Sequence, residues 1–240
     1  MSERAALVTG ASSGIGLAIA HVLGEEGHAL TVAARRPEKL ASAAAELRER
    51  GYEVEEVAVN LSAEEDVQRL AAAHRSRYGR LDVLVNSAGL GVGAAVAEIA
   101  TRRVDLQLGV NLRAIVLLYR ECADLLRAAG AEHRGALVVN LSSIAGKTGQ
   151  AWLSVYSATK AAVIGWTQAM NAELAGAGVK SVALCPGFVD TPMADFIREQ
   201  IPAEEMIRPT DVAEAVRFLL RTSPACVVPE IVFQRPGESV

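Results

Sequence analysis

Tyr156 and Lys160 stand four residues apart in Tyr156-Ser157-Ala158-Thr159-Lys160. On a helix that spacing puts both side chains on one face. A tyrosine hydroxyl titrates near ~10 and is a poor base by itself. A lysine cation beside it favours the phenolate and draws the pKa toward working pH. The pair is therefore suited to moving a proton. Ser143 lies thirteen residues earlier, in Asn140-Leu141-Ser142-Ser143, and its hydroxyl can bond an oxygen that is gaining negative charge. Ser142 offers the same group and competes for that role. A Tyr–Lys pair is common in helices, so its weight comes from what else the chain carries.

The second motif is Thr9-Gly10-Ala11-Ser12-Ser13-Gly14-Ile15-Gly16. Its glycines follow G-x-x-x-G-x-G rather than the G-x-G-x-x-G dinucleotide fingerprint, but the physics is shared. Gly10, Gly14 and Gly16 allow a sharp turn and close approach of a pyrophosphate. Ser12, Ser13 and Ile15 sit where a helix begins, with free N–H groups and a positive dipole end. The next strand ends in Ala34-Arg35-Arg36, where an NAD-binding domain would usually place a carboxylate for the adenosine ribose. Arginine there suits a ribose phosphate, so NADP(H) is preferred over NAD(H); the competing reading is two solvated arginines. Asn60-Leu61 is read as the end of the third strand, with the Asn60 amide placed to meet an adenine amino group. Asn86, Ala88 and Gly89, at the end of the fourth, leave room for a cofactor at the carboxyl edge of a sheet.

These motifs need a scaffold that presents strand ends to a common edge. Short apolar runs alternate with amphipathic stretches. Strands are expected over Ala5–Thr9, His28–Ala34, Glu53–Val59, Leu81–Val85, Ala136–Leu141, Val179–Leu184 and Glu230–Phe233. Helices are expected over Ile15–Glu26, Pro37–Arg50, Ala63–Tyr78, Thr101–Ala129, Val155–Ala175 and from Thr210 to Leu220. Ser62 and Glu65 read as a capping box for the third helix. Strands apolar throughout and separated by helices are covered on both faces. The fold class is α/β: a single doubly wound Rossmann-type domain over residues 1–240, with a seven-stranded parallel sheet flanked by helices on both faces. A net charge of −4 without a basic run points to no nucleic-acid partner. No apolar stretch is long enough to span a bilayer and no signal core precedes the first strand, so the expected location is cytoplasmic and no membrane is expected as a partner. Cys122, Cys185 and Cys226 read as buried free thiols, and no His, Cys or carboxylate cluster has metal-ligand spacing.

Thr9–Gly16, Asn86–Gly89, Asn111 in Val110-Asn111-Leu112, Ser143, Tyr156-x-x-x-Lys160 and Pro186-Gly187 occur in one order over nearly the whole chain. In that order the sequence resembles the short-chain dehydrogenase/reductase family, in its single-domain branch. The resemblance implies an oxidoreductase interconverting a carbonyl and a secondary alcohol by hydride transfer. Tyr156 would be the general acid/base, with Ser143 favoured over Ser142 for the substrate oxygen. It further implies that Lys160 binds the nicotinamide ribose and Asn111 holds a proton-relay water. Pro186, Gly187, Val189 and Thr191 would border the nicotinamide, with Thr191 at its carboxamide. Trp152, Phe188 and Met193 would wall a pocket for a small-molecule carbonyl or alcohol, better suited to an apolar ring or chain than to a charge. A homo-oligomer is expected, a dimer rather than a tetramer, because the C-terminus lacks a Gly-Gly-rich close. The alternative is a non-catalytic dinucleotide-binding sensor.

Overall fold

The computed structural model describes residues 4–133 and 135–238. Its strands are β1 (Arg4–Thr9), β2 (His28–Ala34), β3 (Val54–Ala58), β4 (Val83–Asn86), β5 (Ala136–Leu141), β6 (Val179–Pro186) and β7 (Glu230–Phe233). They form one sheet in the order β3-β2-β1-β4-β5-β6-β7, every pair parallel. The chain therefore reverses its direction of growth between β1 and β4, the place where open α/β sheets bind ligands. Three strand ends are in register there: Thr9 pairs with Asn86, and Asn86 with Asn140.

The helices are α1 (Gly14–Glu25), α2 (Pro37–Glu49), α3 (Glu64–Tyr78), α4 (Thr101–Leu108), α5 (Ala114–His133), α6 (Ser154–Leu174) and α7 (Pro209–Leu220). Side chains alternate across a strand, and β1 shows the consequence. Ala6 and Val8 pack with Ile19, Leu23 and Val216 on the side of α1 and α7. Leu7 packs with Leu70, Leu118 and Leu126 on the side of α3 and α5. Truncating one of these fully buried leucines to alanine would cost roughly 2–5 kcal/mol, so each face is held independently and firmly.

The structure corrects four expectations. Ser62 does not cap α3: the N-cap is Ala63, and the Ser62 hydroxyl instead donates to Asn60 Oδ1 at 2.8 Å. Asp66, in the first turn of α3, accepts from the Asn60 backbone N–H and ties down the loop. β3 stops at Ala58, two residues before Asn60. The helix expected over Thr101–Ala129 is interrupted by a π-helical turn at Gly109–Arg113 and runs on to His133. Cys122 and Cys185 are buried but Cys226 is exposed. Among the described residues, no helix is long and apolar enough to cross a membrane.

At the amino end of the sheet, His74 on α3 is fully buried. Its ring nitrogens meet the Thr31 hydroxyl at 2.8 Å and the Arg80 carbonyl at 2.9 Å. Arg80 O can only accept, so Nε2 carries the proton and Nδ1 accepts from Thr31. A second proton would charge a ring withdrawn from water, and burial holds the pKa down at about 4 against an ordinary 6.5. The native state therefore takes up this proton later than the unfolded chain, and stability present above pH 6.5 is lost as pH falls from 6.5 toward 4. The loss is about 3 kcal/mol at most. Urea unfolding across that range should show it, and His74→Gln should flatten the slope; an unchanged slope would show that His74 is not its source.

Candidate active site

Thr9 organises the glycine loop. Its hydroxyl donates to Val85 O at 3.2 Å and accepts from the backbone N–H groups of Ser87 and Ala88 at 3.1 and 3.2 Å. This holds the segment after β4 against the loop after β1. Gly10 must be glycine for two reasons: its φ is +68°, and a Cβ would stand 2.8 Å from the Ala88 nitrogen. Ser13 is the extended N-cap of α1, whose first turn carries no acidic residue. Ser12 and Ile15 flank that turn, and Gly16 packs on the Gly10 backbone. Thr191, in the segment after β6, reaches the same loop, since a Cβ at Gly14 would meet Thr191 Cγ2 at 2.8 Å. A helix N-terminus thus opens onto a cradle that side chains would fill, as a dinucleotide's pyrophosphate requires. Arg35 and Arg36 lie exposed at the end of β2, with no side-chain bond to a carboxylate among the described residues. These residues fit a nicotinamide dinucleotide.

The Asn60 amide is presented differently from the expectation. Its Oδ1 already accepts from the Ser62 backbone N–H and hydroxyl. The group left to face a ligand is the NH2, a donor, which does not suit an adenine amino group. Leu61 is buried beside it. Asn86 is also turned inward. Its Nδ2 donates to Asn140 Oδ1 at 2.8 Å, and Asn140 donates on to Thr167 at 3.0 Å. Asn86 thus braces β4 against β5 beneath Ala88 and Gly89. Asn140 and Thr167, which sequence reasoning passed over, extend that brace into α6.

The second half of the site is built by α6. Lys160 is buried, and its ammonium donates to Leu141 O at 2.7 Å and lies 5.6 Å from the centre of the Tyr156 ring. Burial lowers its pKa to about 8. Tyr156 is displaced the opposite way: burial pushes its hydroxyl above the ordinary value, opposed by a hydrogen bond with Ser143. The expected downward pull of Lys160 is not what sets the phenol here: desolvation is the largest cause and Ser143 the one that opposes it. The two serines separate cleanly. Ser142 Oγ donates to Lys160 O at 2.7 Å and is consumed in holding α6. Ser143 Oγ donates to Pro186 O at 3.4 Å and accepts from Ala145 N at 3.1 Å, and it is the serine that tempers the raised Tyr156 hydroxyl.

Asn111 lies in the π-helical turn, fully buried. Its Oδ1 accepts from Leu90 N, and its Nδ2 donates to Leu90 O, both at 2.9 Å, and to Thr159 Oγ1 at 3.1 Å. The amide therefore joins the loop after β4 to α6. Both its N–H donors are used, so any relay water would rest on a carbonyl, side-chain or backbone. Leu90 and Thr159 are site-forming residues that no sequence signal marked. Val189 is buried and forms a parallel bridge with Ile207. Of the expected pocket walls, Trp152 and Met193 are exposed at the rim, while Phe188 is half-buried and meets Phe196 edge-on. Trp152 holds φ +70°, and its carbonyl accepts from Ala94 N at 2.8 Å, linking the two rim loops.

The family model for short chain dehydrogenases matches residues 4–202. The chain belongs to that family. A Streptomyces coelicolor protein assigned as a ketoacyl reductase is 39% identical over 242 residues, covering 92% of each chain. A crystal structure of an actinorhodin polyketide ketoreductase with NADPH superposes with a TM-score of 0.86 at 36% identity, covering 95% of each chain. The alcohol dehydrogenase of the archaeon Thermococcus sibiricus, complexed with 5-hydroxy-NADP, gives 0.86 at 30% identity over 98% of this chain and 99% of that one. As a short chain dehydrogenase the chain is an oxidoreductase that interconverts carbonyl and alcohol groups with a nicotinamide dinucleotide. That kinship disfavours the non-catalytic sensor.

Gly146 lets the turn carrying Ser143 lie against α6, because a Cβ there would stand 2.6 Å from the Lys160 carbonyl carbon. Gly146→Ala should therefore destabilise the protein by about 1–3 kcal/mol and lower turnover further than stability alone explains. Thermal melts paired with initial rates measure both; a full-rate, fully stable variant would show that the contact is unimportant.

Proposed function

We propose that the chain is an NADPH-dependent carbonyl reductase in which Tyr156 is the proton donor. The observation that carries this reading is the placement of Tyr156 on α6: half-buried, with the Lys160 ammonium 5.6 Å from its ring centre and Ser143 beside its hydroxyl, it is a neutral phenol whose pKa desolvation raises. A neutral phenol is ready to give a proton to a ketone oxygen, and Ser143 would hydrogen-bond that oxygen as charge develops on it. When bound, the dinucleotide supplies the hydride. Lys160 would hold the nicotinamide ribose and favour the phenolate left after proton transfer. Arg35 and Arg36 would receive the ribose phosphate. Gly10 to Gly16 would cradle the pyrophosphate, and Thr191, adjoining Gly14, the carboxamide. The relatives assigned as ketoacyl reductases support a ketone as the group reduced. We further read the chain as one domain, working in the cytoplasm as a homodimer through α5 and α6.

Titration with NADPH and NADH, followed by turnover on a ketone panel, tests the reading. Tyr156→Phe should reduce turnover by about 10²-fold or more and leave NADPH binding intact; full activity would remove Tyr156 from the chemistry. Arg35→Ala should raise KM for NADPH far more than for NADH, and equal effects would discard the phosphate clamp. The Lys160 cation is lost as pH rises through about 8, so kcat/KM for NADPH, which reports the free enzyme, should fall above that pH. A flat profile there would overturn the ribose-holding role.

A further inference from the structure

Arg235 lies two residues past β7, in Gln234-Arg235-Pro236-Gly237-Glu238. Its side chain is only 20% exposed, and its guanidinium lies 5.7 Å from the centre of the Phe188 ring. A guanidinium carries five N–H donors, and withdrawing it from water is unfavourable unless they are used. Arg217, equally buried, bonds Glu25, Glu26 and Glu214, and Arg80 grips Asp82 with two bonds. Arg235 is different. Its Nε is buried without a partner. Its nearest carboxylate oxygen, on Glu238, stands 3.7 Å from Nη2, beyond hydrogen-bond reach. Among the described residues its side chain makes no hydrogen bond.

Its location gives that deficit a meaning. Phe188, which Arg235 covers, follows Gly187, and the carbonyl of Pro186 touches Ser143. The cation therefore stacks on Phe188, two residues along the chain from Pro186, whose carbonyl accepts from Ser143. Glu238, itself 12% exposed, presses against Gly187 while its Oε2 accepts from the Arg235 backbone N–H at 3.2 Å. The tail thus sets a loose ion pair, Arg235 with Glu238 at 3.7 Å, against Gly187 and Phe188, the segment that follows the Ser143 acceptor Pro186.

We propose that Arg235 is a specificity-determining residue that receives the carboxylate of a keto-acid substrate, and that the Glu238 carboxylate competes for the same guanidinium. The proposal rests on the carbonyl-reductase reading and deepens it. The substrate lays its apolar carbons along Phe188 and sets its acidic end in the guanidinium fork, which matches a carboxylate bidentately. This departs from the expectation that the pocket suits an apolar ring or chain better than a charge.

The test compares straight-chain keto acids, from acetoacetate upward, with their methyl esters in NADPH oxidation assays. Arg235→Ala should lower kcat/KM for the best keto acid by about ten-fold or more and leave its ester nearly unchanged. Glu238→Gln should move the acid-to-ester ratio the opposite way, a few-fold upward. Loss of both substrates together, or an unchanged ratio in both variants, overturns the proposal. Arg235→Lys guards against misfolding: it keeps the charge without the fork and should fall between wild type and alanine. Should no ketone be reduced, the carbonyl-reductase reading fails separately. Calorimetric binding of the same acid and ester to the full chain with NADPH then decides Arg235's role, where equal affinities in wild type overturn it.

Discussion

The carboxyl edge where β1, β4 and β5 end in register is the constraint on which the rest of the molecule depends. Thr9, Asn86 and Asn140 occupy that line, and each uses its side chain to bind a neighbour rather than to face outward. Thr9 fastens the segment after β4, and Asn86 bonds Asn140. Parallel strands leave their terminal backbone groups unpaired at such an edge, and buried unpaired groups are costly. Thr9 satisfies backbone groups of the segment after β4 and fixes that loop, while Asn86 and Asn140 link β4 to β5 and on to α6 through their side chains. With the loops fixed, the N-terminus of α1 and the site face of α6 point into one cleft.

The chemistry sits where burial and charge conflict. Lys160 is a buried cation with a single carbonyl acceptor and a lowered pKa, and Tyr156 is a half-buried phenol with a raised one. Neither arrangement is favourable for folding taken alone. They persist because the two helical segments that carry Asn111 and Thr159 are bonded together and Gly146 brings the Ser143 turn into contact with α6. Rigid neighbours thus maintain two titratable groups in environments they would not choose, a common property of functional sites. The exposed ion pairs, such as Arg75 with Asp124, add little by comparison.

The π-helical turn at Gly109–Arg113 has a similar logic. A regular helix through Asn111 would bond every carbonyl within the helix. The wider turn, closed by Ala114 N–H to Gly109 O, rotates Asn111 inward, where its amide reaches Leu90 and Thr159. Local irregularity is maintained there by three tertiary hydrogen bonds, and nothing in the apolar periodicity of Thr101–Ala129 marks it.

Much of the molecule was legible in the residues. Strictly apolar runs, helix-stopping glycines and a glycine loop between the first strand and first helix identified the parallel sheet and the place of the cofactor. The spacing of Tyr156 and Lys160 identified the helix face, because both signals depend on local geometry. Other features depended on which side chains met across the fold. Ser142 and Ser143 are chemically identical neighbours, and only the position of α6 and β6 assigns one to Lys160 and the other to Tyr156. Ser62 had the sequence of a cap yet bonds Asn60, because Asp66 tied the loop another way. The Tyr156 hydroxyl is raised rather than lowered because desolvation, a property of the folded whole, is the largest influence on it. Arg235 was one arginine among many in the sequence, and only packing against Phe188 deprived it of water and left its Nε without a hydrogen-bond partner. The sequence by itself determined the strands, the helices and the reactive pair, which arise from interactions within a few residues. Tertiary structure decided solvation and partnership, because those belong to groups far apart along the chain.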